Sequence, residues 1–397
     1  SASGTPGAAH VFSESYLYTV EALQLYLAHL TPSGLLNIMR PEYVPPRDML
    51  RLLLTAQQAL RAAGVARPSE HLVVVAARNG ELTSVLVQAR PFSADQVQRI
   101  AAWTSRNPYL SLAAAPGFVP AQPSLYHTFL ALGSPAELQR ALGIYPFDVA
   151  PVTDDRPFFF RTSRWSHVWP RAGGPDPGPP ALELGLLSLL SVCALLAFAF
   201  VYLPLRGLPG RPAAGSLAAA VYFSAIGFGY MALELALIQR FGLLLGHPNF
   251  ALSVVLSSLL FATGMGSLFS GWILGWVRGQ LRFVAYALIF VLLAEYLLLL
   301  PRTAGLIAWP LASRVLVVVA ALAPLGLLLG VFLPAGLDRL KATAPAFVPW
   351  AWGINGMASV VAPVMGVAVS VTFGISALLL VTVPAYLLAG LVAPPPE

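Results

Sequence analysis

Between residues 183 and 392 one pattern recurs seven times: a long apolar run, at about 183–203, 216–239, 249–275, 283–300, 315–336, 347–370 and 374–392. A helix of about 20 such residues crosses about 30 Å of hydrocarbon. In lipid every backbone N–H and C=O must be satisfied internally, so runs of this length can only be helices. Seven membrane-spanning helices are therefore expected, the fifth with the least distinct start because Arg314 interrupts it.

Charge placement separates this region from the rest. Only 10% of the 397 residues are charged; 26 of the 40 charged side chains fall in residues 1–181 and 14 in residues 182–397. Three segments are expected: an α/β domain over 1–150, a pre-membrane aromatic segment and Pro/Gly linker over 151–181, and a transmembrane domain over 182–397. The net charge of +6 is dispersed, which excludes a clustered nucleic-acid surface. The single cysteine, Cys193, excludes a disulfide within the chain, and six histidines scattered without ligand spacing leave no metal site to propose. Residues Ser1–Gly7 lack the basic and apolar regions of a signal peptide. A start without Met points to a processed product or part of a longer chain.

The first segment reads as half of an α/β sheet. Residues 14–30 carry apolar side chains at Leu17, Val20, Leu23, Leu27 and Leu30, the spacing of an amphipathic helix, with Ser13 as its N-cap. A buried strand is expected at Leu35–Met39, a helix over about Asp48–Ala63 closed by Gly64, and a hairpin joining 71–77 to 82–87. Asn79-Gly80 in that hairpin suits a type I′ turn, whose central residues both need positive φ. Helices at 93–104 and 134–142 flank an irregular 106–133. Leu35–Met39 is apolar on both faces, which implies cover on both sides and a parallel neighbour. Only three strands are visible, so the sheet's remaining strands are expected from residues upstream of Ser1 or from another chain.

Within the spans, Glu234 lies four residues after Tyr230 and seven after Gly227, on one helix face. With Gln239, Glu295 and Asn355 it forms the set of intramembrane polar residues. Acids at this depth face protein or water, so the set is read either as a polar pocket or proton path, or as interhelical glue. Gly353, Gly356, Pro349 and Pro363 would permit a broken helix around Asn355. Gly271/Gly275 and Gly326/Gly330, spaced by four, mark close helix packing.

Four segments, taken in order, resemble one family. They are Ser13-Glu14-Ser15-Tyr16-Leu17-Tyr18-Thr19 with Leu30-Thr31-Pro32-Ser33-Gly34, then Thr153-Asp154-Asp155-Arg156-Pro157-Phe158-Phe159-Phe160, then Gly229-Tyr230-Met231-Ala232-Leu233-Glu234 continuing to Phe241, and Trp350-Ala351-Trp352-Gly353-Ile354-Asn355-Gly356. The chain resembles the carboxyl-terminal part of the bacterial membrane-fused spermidine synthase-like (polyamine aminopropyltransferase-like) proteins. The resemblance implies a partial Rossmann-like, methyltransferase-type α/β domain followed by an all-α membrane bundle of about seven helices. It implies the bacterial inner membrane, with the soluble domain in the cytoplasm; six basic residues on one side of the spans against five on the other do not decide orientation.

The family's glycine-rich loop, ribose-binding acid and catalytic aspartate belong to the half that precedes these residues. The catalytic residues are thus unknown within this chain, and no cofactor is bound by it alone; decarboxylated S-adenosylmethionine is expected only for an intact member. Where the family tends to have Gln after the strand, this chain has Arg40, whose charge would repel a polyamine. Ligands of open α/β sheets bind at the carboxyl ends of strands, which makes Arg40 and Glu42 the substrate-proximal candidates, read otherwise as a surface ion pair. Three readings follow: part of an aminopropyltransferase-like enzyme, not competent as it stands; a non-enzymatic membrane subunit scaffolding a larger complex; or a transporter-like protein with an intramembrane polar site. Expected partners are the lipid bilayer, the missing half or a chain completing the sheet, and other membrane subunits.

Overall fold

The computed structural model describes residues 14–120, 123–132, 134–169, 180–203 and 216–394. Ser13 and most of Pro170–Pro180 lie outside them. The chain divides into two compact units, with the boundary after Gly185.

In the first unit, helix α1 (Val20–His29) starts six residues later than expected. Thr19 explains this: its side chain accepts the Ala22 amide (3.2 Å) and caps the helix, and residues Tyr16–Tyr18 before it form a 3₁₀ turn. Strand β1 (Leu35–Pro41) and helix α2 (Asp48–Ala62) follow, with Gly64 at φ +86° beyond the helix end. Strands β2 (Leu72–Ala77) and β3 (Leu82–Gln88) form the expected hairpin, but through a different turn. Only Gly80 has positive φ (+73°), and its amide bonds Ala77 C=O (3.0 Å). That is a four-residue connection, residues 78–81, with a left-handed Gly in its third position, not a two-residue type I′ loop.

Helices α3 (Ala94–Arg106) and α5 (Pro135–Ile144) each open with a capping box, at Ser93/Gln96 and Ser134/Glu137. The stretch read as irregular holds β4 (Leu110–Ala114) and a seven-residue helix α4 (Leu125–Ala131).

The sheet has four strands in the order β1-β3-β2-β4, and every ladder is antiparallel. This departs from the parallel neighbour expected for β1. Among the described residues β1 pairs only with β3, from Leu35↔Gln88 to Pro41↔Leu82. Its side chains alternate between exposed and half-buried, so it is an edge strand with one covered face. Leu36 and Ile38 pack on the core formed with α1 and α2, while Leu35 and Met39 are 46% and 61% exposed. On the opposite sheet face α3 covers β2 and β4 through Val73, Val75, Val97 and Leu112 and stops short of β1.

The segment 151–160 belongs to this unit's interior. Phe159 is fully buried and rings against Tyr18 (4.4 Å between centroids). Arg51, fully buried on α2, donates to the carbonyls of Phe158 (3.1 Å), Phe159 (2.6 Å) and Arg161 (2.6 Å) and pairs with Asp148. One guanidinium thereby satisfies backbone groups that burial would otherwise leave unpaired.

The second unit contains the helices expected from the apolar runs: α6 (Ala181–Ala197, begun in the first unit), α7 (Ser216–Leu245), α8 (Pro248–Leu268), α9 (Leu281–Ala294, prolonged by a π turn Glu295–Leu299), α10 (Leu311–Thr343), α11 (Val348–Phe373) and α12 (Ile375–Val392). All seven are long and apolar enough to span a membrane, and the chain is an integral membrane protein. Helix α7 is central: it packs on α8, α10, α11 and α12, and its apolar window is 61% buried against at most 39% in any other span. Gly326 and Gly330 of α10 meet α8, where a Cβ would collide with Ala262 and with the Thr263 backbone. Gly271 and Gly275 face open space, so that pair packs against nothing among the described residues. Helix α11 runs unbroken through Pro363.

Candidate functional site

The carboxyl end of β1 delivers Arg40 and Glu42 toward the start of α2, where Arg47 and Asp48 lie. Arg40 is held by aromatic neighbours: Nη1 donates to the Tyr18 hydroxyl (2.9 Å), and the guanidinium lies 4.7 Å from the Phe160 ring centroid and 5.4 Å from that of Tyr18. A cation over ring faces is stabilised by their quadrupoles. Arg47 is fixed in the same manner, 3.8 Å from the Phe147 centroid and 5.1 Å from Tyr43.

Glu42 does not pair with Arg40; no ion pair joins them among the described residues. Its Oε1 accepts the Tyr43 (2.8 Å) and Arg47 (3.3 Å) amides, and its Oε2 is buried without a hydrogen bond. Burial pushes its carboxyl up to about 7, the two amides offset part of this, and the nearby Asp48 charge adds to the rise. Asp48 is 8% exposed, and burial pushes its carboxyl up to about 6 although Arg51, Arg40 and Arg47 pull the other way. Tyr145 closes this side, its hydroxyl donating to Pro46 C=O (2.6 Å). For Asp148 burial raises the carboxyl, but Arg51 and Arg156 outweigh it and hold the group below the usual range.

The cluster thus combines two arginines fixed on aromatic rings with two carboxyl groups that exchange protons near neutrality. Such an arrangement can accept or donate a proton at pH 6–7, or hold an amine against a carboxylate. Sequence reading missed Asp48 and Arg47: an acid in the first turn of a helix reads as an end-of-helix charge. Among the described residues no group of three or more His, Cys, Asp or Glu could hold a metal ion.

The intramembrane residues are not all gathered at one place. Glu234, on α7, is 7% exposed and receives no hydrogen bond among the described residues. Gln239, one turn further, accepts from Ser370 Oγ (3.0 Å) and ties α7 to α11. Asn355 Nδ2 donates to Phe223 C=O (3.1 Å), a second α7–α11 tie beside Gly227, where any Cβ would strike Asn355. Glu295 stands half-buried at the start of the π turn after α9.

Comparison with protein-family models, with curated proteins and with solved structures finds no match to this chain.

Proposed function

We propose that the protein is a membrane-anchored relative of the aminopropyltransferases, whose α/β unit forms the acceptor-side wall of a site at the carboxyl end of β1. The arrangement of β1 carries this reading. Strands β1 and β2, both antiparallel to β3, run parallel to each other, and among the described residues β1 has a free edge with Leu35 and Met39 bare beside it. An added parallel strand would occupy that edge and an added helix would cover those side chains, which is where a cofactor-binding half of a Rossmann-like sheet belongs.

In the completed site a decarboxylated S-adenosylmethionine-type donor would come from the added half. The acceptor amine attacks the propyl carbon bonded to sulfonium sulfur, the C–S bond breaks to release a thioether, and the surplus ammonium proton passes to a carboxylate. Glu42 and Asp48 are poised for that last step. The α/β unit then lies on the cytoplasmic side of a bacterial inner membrane. Residues 1–397 purified alone should show no transfer from that donor to a diamine, whereas the same residues preceded by a segment with a glycine-rich loop and an aspartate should. Robust turnover by residues 1–397 alone overturns the reading.

Arg40 supports a second reading. Locked on Tyr18 and Phe160, it places a fixed cation where a polyamine would sit, which suits a non-enzymatic subunit that scaffolds a larger membrane complex. A stoichiometric partner co-purifying from the native membrane favours that reading; a homogeneous monomer counts against it.

A further inference from the structure

The α/β unit holds a cavity of about 780 Å³ lined by β4, the second half of α3 and residues that follow β4. Ser111, Leu112 and Ala113 are consecutive in β4 and all line it. Successive side chains of a strand point to opposite sheet faces, so the cavity runs along the outer edge of β4, which has no strand partner among the described residues. Its walls are mainly apolar, with Ala102, Leu112 and Phe118 among them, and its volume is that of a small-molecule site.

Among the described lining residues Arg78 alone is charged. It directly follows β2, and because β1 and β2 run parallel it stands at the same end of the sheet as Arg40 and Glu42. Open α/β sheets take their ligands at that end. Arg78 is fixed twice: its amide donates to Tyr109 C=O (2.8 Å) and its Nε to Leu110 C=O (2.9 Å). Nη1 and Nη2 have no hydrogen-bond or ion-pair partner among the described residues, and they form the end of the guanidinium fork that receives a carboxylate.

The other polar groups of the lining leave donors, not acceptors, in excess. Thr104, Ser105 and Ser111 spend their hydroxyl hydrogens on the carbonyls of Ala101, Ala102 and Ala76. Tyr126, 5% exposed, keeps a hydroxyl that makes no hydrogen bond, whereas buried hydroxyls are normally paired.

We infer that this cavity binds a monocarboxylate with an apolar body. One fixed guanidinium supplies one compensating charge and two parallel N–H donors, which match a carboxylate, and the Ala, Leu and Phe walls take the hydrocarbon. A phosphate monoester carries nearly twice that charge and would be left under-compensated by a single arginine. The inference concerns binding alone and does not depend on transfer chemistry in the α/β unit.

The test uses the full chain in lipid nanodiscs, titrated with octanoate against empty nanodiscs as background. Saturable binding is expected, stronger than that of 1-octanol or octylamine, and weakened at least tenfold by Arg78→Gln, which removes the fork. Ala102→Leu provides an independent block: Ala102 is exposed on α3 and Leu is a good helix former, so the added side chain narrows the cavity without disturbing the core, and binding should weaken. Absence of saturable octanoate binding, equal binding of 1-octanol or octylamine, or unchanged affinity in Arg78→Gln or in Ala102→Leu would each overturn the inference.

Discussion

Replacing Glu42 by Gln should stabilise the α/β unit at alkaline pH and leave it little changed in acid. Burial raises the Glu42 carboxyl to about 7 from 4.5. The folded state therefore holds a proton that the unfolded chain releases, and stability is greatest below the unfolded value and is lost as pH rises through 7. A shift of this size corresponds to about 3 kcal/mol at about 1.4 kcal/mol per unit. Solvent reaches part of this half-buried side chain, which reduces the figure to about 2 kcal/mol. Gln keeps an oxygen for the Tyr43 and Arg47 amides and cannot ionise. The difference in opening free energy between Glu42→Gln and the parent should thus widen by about 2 kcal/mol between pH 4 and pH 8. Native-state hydrogen exchange of the β1–β3 amides in detergent measures it. A difference that stays constant with pH, or narrows toward alkaline pH, refutes the argument.

Asp48→Asn should behave alike, with its transition lower, near the value of about 6 set by burial; amide exchange over the same pH range checks this. Arg51→Met strips buried carbonyls at Phe158, Phe159 and Arg161 of their donor and leaves Asp148 with less compensation, and should destabilise the α/β unit by about 3–5 kcal/mol in thermal or chemical unfolding. Glu183→Ala leaves Arg161 buried without its ion pair (3.0 Å) and should cost a similar amount by the same measurement. In the membrane unit Gly266→Val forces a side chain onto the Leu327 backbone and should lower the melting temperature in detergent, while Gly275→Ala, facing open space, should not.

The seven spans were legible because length and apolarity suffice to define a bilayer-crossing helix. Their ends were less so. Helix α10 extends through Arg314 to Thr343, past the apolar run, because its terminal cations find carbonyls: Arg314 on Leu244 (2.8 Å) and Arg339 on Pro394 (2.7 Å). Small elements escaped for a different reason. β4 is five residues rich in Ala and Ser, which carry weak strand signals, and α4 is seven residues, too short to display a period. The apolar pattern of β1 was read as burial on both faces, whereas within these residues one face is bare; side-chain type reports what could be covered, not whether the cover is present. At the candidate site, strand-end logic singled out Arg40 and Glu42 as candidates. The aromatic clamp on Arg40 joins Tyr18 to Phe160, more than 140 positions apart, and the proton affinity of Asp48 comes from burial, so neither can be read from local spacing.

Placing the span that carries Glu234 and Gln239 at the centre of the bundle has a consequence for biogenesis. Helix α7 leaves the ribosome before α11 and α12, yet the residues that shelter Gln239 and fit against Gly227 and Gly229 belong to those two later helices. Until these arrive, α7 must linger at the insertion machinery or be shielded by a chaperone, for its carboxylate suits neither lipid nor a naked helix pair. Nascent chains halted after α8 should therefore be conspicuous substrates for membrane quality-control proteases, and the arrival of α11 and α12 would mark the moment at which the bundle becomes durable.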